Sequence, residues 1–263
     1  DATTTTPKCS DEESFQVTIN NTPQIDDPAD VTRCDSYVLP ALTVGGNYFT
    51  GSGGTGTALT AGASITTTQV LYVYAETGTS PNCTAENSFQ VTINITPVPD
   101  DPPDVTRCDS YTLPALTVGS YYTGSGGTGS NLPVGTSITT TQALYVYAES
   151  GTTPNCWAEN SFQVTINKTP VITNPGPQVA CDSYTLLTIG GSNLVAPAYY
   201  NNSQALGGSV ITGAITSTQV VWIYDETSTE PNCSDEESFQ VTINITPVPD
   251  DPPDVTRCDS YTL

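Results

Sequence analysis

The chain repeats itself almost verbatim. Cys-Asp-Ser-Tyr opens at Cys34, Cys108, Cys181 and Cys258, and Ser-Phe-Gln-Val-Thr-Ile-Asn recurs at Ser14, Ser88, Ser161 and Ser238. The period of 73 to 77 residues exceeds that of a solenoid unit and suits a small autonomous domain. Residues 1–9 align with Asp225–Cys233, so the chain is expected to begin late in one repeat and to end on the first strand of another. The expected division is a truncated C-terminal part at 1–23, full repeats at 29–97 and 102–170, a variant repeat at 176–247, and a first strand at 254–263.

Within residues 29–97 the clearest element is the last. Phe89, Val91 and Ile93 alternate with Ser88, Gln90, Thr92 and Asn94, which gives a strand with one buried face. Gln69–Ala75 is apolar on both faces, as a central strand is, and Glu76–Asn87 joins the two as a long hairpin connection. Val31–Leu39, Thr43–Thr50 and Ala63–Thr68 read as further strands. No segment carries a helical period with caps. Six or seven short strands in a domain of this size predict an all-β, immunoglobulin-like sandwich, repeated in tandem.

Eight cysteines fall at fixed places in the repeat, and no His is present to complete a zinc site. Disulfides are therefore expected, together with an oxidising, extracytoplasmic setting. If the first and last strands start at one pole of the sandwich, Cys34 pairs with Cys83, Cys108 with Cys156 and Cys181 with Cys233. Such a loop of about 50 residues would stabilise each domain by roughly 4 kcal/mol. Cys83–Cys108 would cross the whole last strand, roughly 23 Å. Its constant spacing of 25 residues in every copy nevertheless keeps that pairing open. On either scheme Pro97–Asp104, with four prolines and no glycine, is a stiff joint, and the array is expected to be an extended rod.

Composition excludes several functions. Five Lys plus Arg stand against 27 Asp plus Glu, a net charge of −22, which leaves no basic patch for nucleic acid or an anionic membrane. No apolar run is long enough to insert into a membrane. Without His, the abundant serines have no general base, so no enzyme and no cofactor are expected. Asp11-Glu12-Glu13 and Asp235-Glu236-Glu237 pair carboxylates, but the matching Ala85-Glu86-Asn87 and Ala158-Glu159-Asn160 do not, so these read as solvated charge. Gly51–Gly56 fits a dinucleotide fingerprint only formally, since no helix follows; it reads as a flexible turn. Asp100, Asp101 and Asp104, like Asp26, Asp27 and Asp30, are weak candidate Ca²⁺ ligands; the third joint, Thr173–Gln178, has no carboxylate. Tyr37, Tyr72 and Tyr74 and their counterparts Tyr111, Tyr145, Tyr147, Tyr184, Trp222 and Tyr224 are expected to pack between sheets rather than to stack on sugars.

Cys108–Gly119 (Cys-Asp-Ser-Tyr-Thr-Leu-Pro-Ala-Leu-Thr-Val-Gly), Tyr122–Gly129, Leu144–Glu149 and the Pro-Asn-Cys triplets together resemble the tandem repeats of the giant cell-surface adhesins of gliding Bacteroidota, the SprB type. The resemblance covers essentially the whole chain. It implies type 9 secretion, tethering at the outer membrane through a remote terminus, and contact with gliding and secretion machinery through regions outside this sequence. External surfaces or polysaccharide would be the partners. The function expected is a structural stalk segment of a secreted filamentous adhesin. A carbohydrate-binding module array and a pilus-like subunit joined by strand exchange are the alternatives.

Overall fold

The computed structural model describes residues 4, 6–7, 9–256 and 258–259. The parts of the expected end segments at 1–3, 5, 8, 257 and 260–263 lie outside the described residues. The chain divides into two compact units, one of residues 1–100, 117–120 and 146–160, the other of 101–116, 121–145 and 161–263. Among the described residues, regular structure is all strand save one short 3-10 turn at Gln204–Leu206.

The first complete repeat has seven strands: β1 (Val31–Cys34), β2 (Tyr37–Val38), β3 (Asn47–Gly51), β4 (Thr55–Leu59), β5 (Ser64–Ile65), β6 (Gln69–Glu76) and β7 (Thr84–Asn94). One sheet runs β1-β7-β6-β3-β4, and β2-β5 lies apart as a two-stranded second layer. The apolar alternation does what period two requires: Phe89, Val91 and Ile93 of β7 and Leu71 and Val73 of β6 close on Leu39, Tyr48 and Ile65 in one core. The expected single strand at Val31–Leu39 is two strands in two layers. Asp35 breaks it with φ of 60°, a left-handed conformation that Asp tolerates better than most residues. Thr55–Leu59 of the glycine-rich region, expected only as turn, is an edge strand pairing with β3. It shows no apolar alternation because most of it faces water.

Gly46 marks where β3 must approach β6. Its φ is +95°, and a Cβ there would lie 2.6 Å from Val73 Cγ1, a fully buried side chain. Gly46→Ala is therefore expected to destabilise the repeat by about 2–4 kcal/mol, combining left-handed strain with overpacking. Chemical denaturation of the isolated variant chain measures it; a cost below 0.5 kcal/mol would contradict this packing.

The middle repeat has the same plan: β8 (Val105–Cys108), β9 (Tyr111–Thr112), β10 (Ser120–Gly124), β11 (Thr128–Leu132), β12 (Ser137–Ile138), β13 (Gln142–Glu149) and β14 (Trp157–Asn167). Its sheet order is β11-β10-β13-β14-β8, with β12-β9 opposite. The third begins earlier than expected, with β15 (Val171–Ile172) paired to β17 (Gly191–Ser192). Its main sheet orders β16 (Gln178–Cys181), β20 (Ser234–Asn244), β19 (Gln219–Glu226) and β18 (Ala198–Tyr200). The β2-β5 pair shrinks there to a single bridge, Tyr184 to Ile215.

Ser14–Asn20 carries the same string as β7 yet is not a strand. Phe15, Val17 and Ile19 are 89%, 68% and 81% exposed, whereas Phe89 in the same string is 2% exposed. A strand needs a neighbouring ladder and an apolar layer beneath it, and residues 11–20 have neither among the described residues.

Candidate functional site

The site is the junction between successive repeats, and the cysteines define it. β1 lies parallel to β7 as expected, but it pairs with the second half: Val31 opposes Val91 and Cys34 opposes Asn94. Cys34 thus sits at the far pole. Cys83 precedes Thr84, where β7 begins, and the ten steps from there to Asn94 span about 33 Å. A Cys34–Cys83 bond is out of reach, as is its counterpart Cys108–Cys156, because Cys108 opposes Asn167 at the end of β14. The expected pairing is corrected accordingly. Cys34 bonds Cys156 and Cys108 bonds Cys233, in each case the first-strand cysteine of one repeat with the pre-β cysteine of the next. The Cα atoms lie 5.7 Å apart in both, well within disulfide range. Cys83 and Cys181, expected to pair with Cys34 and Cys233, are thiols.

The loop ahead of each pre-β cysteine is built to hold that sulfur still. In the first repeat Thr77 and Cys83 exchange backbone contact (Thr77 N to Cys83 O, 3.0 Å), Cys83 N donates to Thr77 Oγ1 and Gly78 N donates to Asn82 Oδ1, both at 3.0 Å. Asn82 Nδ2 then donates to Glu76 Oε2 at 2.9 Å. Ser150, Gly151, Asn155 and Cys156 repeat the pattern around Glu149, as do Thr227, Asn232 and Cys233 around Glu226. Across the junctions an asparagine at the end of one repeat reaches this loop in the next. Asn94 Nδ2 donates to Pro154 O at 3.1 Å, and Asn167 Nδ2 to Thr229 O at 3.0 Å. Asn20 Nδ2 makes the same bond to Pro81 O at 2.9 Å.

The aspartate of Cys-Asp-Ser-Tyr fastens the other half of the junction. Asp35 accepts from Thr96 N and Thr96 Oγ1 at 2.9 and 2.6 Å, Asp109 from Thr169 at 3.0 and 2.6 Å, and Asp182 from Thr246 at 2.7 and 2.6 Å. Each left-handed aspartate so pins the chain leaving its repeat. The threonine hydroxyl, then the threonine N–H, hold all three carboxyls below the usual range.

The acidic joints prove to be capping residues. Asp26 Oδ2 accepts from Thr43 N, Val44 N and Gly45 N at 2.9, 2.8 and 3.0 Å, and its pKa is lowered to about 2, chiefly by the Gly45 N–H. Of the candidate calcium ligands, Asp100 accepts from Thr117 N, Asp104 accepts from Gln163 N at 2.7 Å, and Asp101 is exposed. The structure does not bring these three together: among the described residues no cluster of three acidic, Cys or His groups could hold a metal ion. At the third joint the arrangement is inverted. The linker has no carboxylate, and Asp235 of β20 accepts from Ile172 N at 2.7 Å while Glu237 accepts from Asn174 Nδ2 at 2.9 Å. Where the linker is acidic, the Glu237 position is an asparagine instead: Asn87 donates to Asp26 O and Asn160 to Pro99 O, at 3.0 and 3.1 Å. Asp235-Glu236-Glu237 is structural rather than solvated charge, since Glu236 also accepts from Ser203 Oγ and Gln204 N, at 2.8 and 2.7 Å.

These capped aspartates set an acid dependence. Their folded pKa values lie below the unfolded value near 3.9, so their stabilisation is complete above about pH 5 and is lost as pH falls through the folded values, for Asp26 about 2. With no His in the chain, melting temperature should be flat from pH 6 to 7.5 and fall progressively from pH 5 to 2. Asp26→Asn should shrink that acid-side drop; an unchanged profile would refute the assignment.

The tyrosine expectation is corrected in part. Tyr48 and Tyr121 are the buried rings, packing edge-on or tilted against Phe89 and Phe162 at 6.1 and 6.0 Å. Tyr72 and Tyr74, and likewise Tyr145, Tyr147, Trp222 and Tyr224, alternate with buried residues and so lie half-exposed on the outer face. They pair there: Phe49 with Tyr74 and Tyr200 with Tyr224 edge to face at 6.1 and 6.2 Å, and Tyr147 with Trp157 at 5.8 Å. A shallow pocket of about 320 Å³ beside Tyr74 is lined by Phe49, Gly53, Gly54 and Glu76.

A first strand parallel to the last, that strand hairpinned to a central one, and a hairpin on the far edge, with a short pair opposite, recur in successive repeats. The chain is a tandem array of immunoglobulin-like sandwiches. No known protein family and no curated protein matches it. Among solved structures, the I-band fragment I67–I69 from titin aligns with a TM-score of 0.43 at 9% identity, covering 86% of this chain and 100% of that one. Immunoglobulin domains 1–5 of Sidekick-1 align with a TM-score of 0.33 at 12% identity, covering 84% of this chain and 60% of that one. Mouse cadherin-23 EC22–24 gives 0.28 at 12% identity, covering 86% and 100%.

Proposed function

We propose that this chain is a load-bearing stalk segment of a secreted, filamentous cell-surface adhesin, non-enzymatic and extracellular, of the gliding-motility type its repeats resemble. One observation carries the reading: consecutive repeats are bonded pole to pole by a disulfide, with an asparagine–proline-loop hydrogen bond beside each bond. Such joints make length and alignment the product of the array, and disulfides of this kind persist outside the reducing cytoplasm. Export by type 9 secretion, outer-membrane tethering and contact with gliding machinery belong to the same proposal, through regions beyond this sequence.

Small-angle scattering of the oxidised chain tests it. The expected particle is a rod with a longest dimension on the order of 100 Å, given three sandwiches each with an 11-residue last strand of about 36 Å. A radius of gyration of about 18 Å, that of a single globule of this length, would refute the stalk reading.

The outward aromatic pairs favour a second reading, a carbohydrate-binding array, because half-exposed rings beside a carboxylate suit stacking on sugars. Glycan-array binding by the chain, lost in Tyr74→Ala and Tyr224→Ala, would support it.

A further inference from the structure

The two disulfides overlap along the chain. Cys34 bonds Cys156, and Cys108, which lies inside that loop, bonds Cys233, which lies outside it. We propose that this interlocking gives the array a second function as a break-tolerant, extension-limited cable: from Cys34 to Cys233 two covalent routes run in parallel, and a single backbone cut anywhere between them leaves the two ends joined. A cut before Cys108 is spanned by Cys34–Cys156, a cut after Cys156 by Cys108–Cys233, and a cut between those two cysteines by both. Disulfides confined within repeats would not do this, because every linker would then be a single strand.

The supporting features are local and repeated. Each bond places one sulfur at the end of a β-strand that is hydrogen-bonded along its length to the last strand of its repeat, through Val31–Cys34 against Val91–Asn94 and Val105–Cys108 against Val164–Asn167. The other sulfur sits in the braced loop ahead of the next last strand, where Cys156 and Cys233 are 2% and 3% exposed and hence shielded from small reductants. Tension entering a repeat therefore passes through the bridge into the neighbouring last strand. A stretch unfolded between bonded cysteines cannot lengthen the chain beyond the shorter covalent route. The Cys108–Cys233 bond shortens that route by a sequence separation of 125 residues. At about 3.6 Å per residue the fully extended oxidised chain should be about 450 Å shorter than the reduced one.

The experiment uses the full oxidised chain carrying one inserted site-specific protease sequence in each of four variants. The sites are the exposed turn at Gly53, the linker between Val98 and Pro99, the turn at Gly126, and the loop at Gly213, where a side chain meets no neighbour at Gly53, Gly126 and Gly213. After complete cleavage, electrophoresis in denaturant without reductant should show one full-mass species in all four, and two fragments on adding reductant. A fifth variant cut between Val248 and Pro249, beyond Cys233, should release its tail without reductant. Separation of the linker-cut chain without reductant would overturn the proposal. So would equal contour lengths for oxidised and reduced chains pulled from their termini.

Discussion

Phe89→Ala is expected to unfold the first repeat at temperatures where the other two stay folded. Phe89 is 2% exposed, packs edge-on to Tyr48 and belongs to a single core with Leu71, Val73 and Val91. Removing a buried phenyl costs about 3–5 kcal/mol in lost transfer energy and cavity. A domain of this size has only about 4–10 kcal/mol of stability in total. At 4–8 °C per kcal/mol, the repeat's melting point should fall by roughly 15 °C or more. Calorimetry of the whole chain should then resolve an early transition for one repeat. A shift of less than 5 °C would mean that the core does not depend on this ring.

Removing the junction disulfides is the second large effect. In the chain-entropy model, closing the 122-residue separation between Cys34 and Cys156 is worth up to about 5 kcal/mol. That benefit accrues only when both bridged repeats unfold, because each cysteine is anchored in its own sandwich. Cys34→Ser with Cys156→Ser should therefore leave each repeat folded, with its strands intact by circular dichroism. It should also lower the denaturant midpoint and separate transitions that were coupled in the parent. A parent and variant with superimposable unfolding curves would contradict a staple between repeats. Non-reducing peptide mapping supplies the direct check, since a Cys34–Cys83 peptide would restore pairing within the repeat.

The joints respond to acid through different residues from the cores. Asp35, Asp109 and Asp182 pin the threonine that leaves each repeat, and their lowered pKa values tie junction order to pH below about 4. Loosening should therefore reach the joints in acid before hydrophobic packing fails.

The fold was legible in the sequence because its main signals are local. Phe89, Val91 and Ile93 announce a one-faced strand by alternation alone, and Leu71 and Val73 beside outward Tyr72 and Tyr74 announce a central one. The repeat of Cys-Asp-Ser-Tyr marked the domain period without any coordinates. The edge strand at Thr55–Leu59 escaped notice because a solvent-facing strand has no apolar period to display. The tyrosines were misplaced for a related reason: alternation divides Tyr72 from Leu71, but not which face meets the second layer.

What only tertiary structure decided is register. The sequence implies that the first and last strands run the same way, and they do. Whether Cys34 stands opposite the start or the end of β7 depends on a shift of several residues along a parallel ladder, and backbone hydrogen bonding in such a ladder is uniform along its length. Packing chooses the shift, by setting Val31 against Val91 and leaving the beginning of β7 to pair with β6 alone. That choice carries Cys34 about 33 Å from Cys83 and brings it to Cys156. The same eight cysteines that composition assigns to disulfides thus join repeats rather than close them, because sulfur pairing follows position in space and not spacing along the chain.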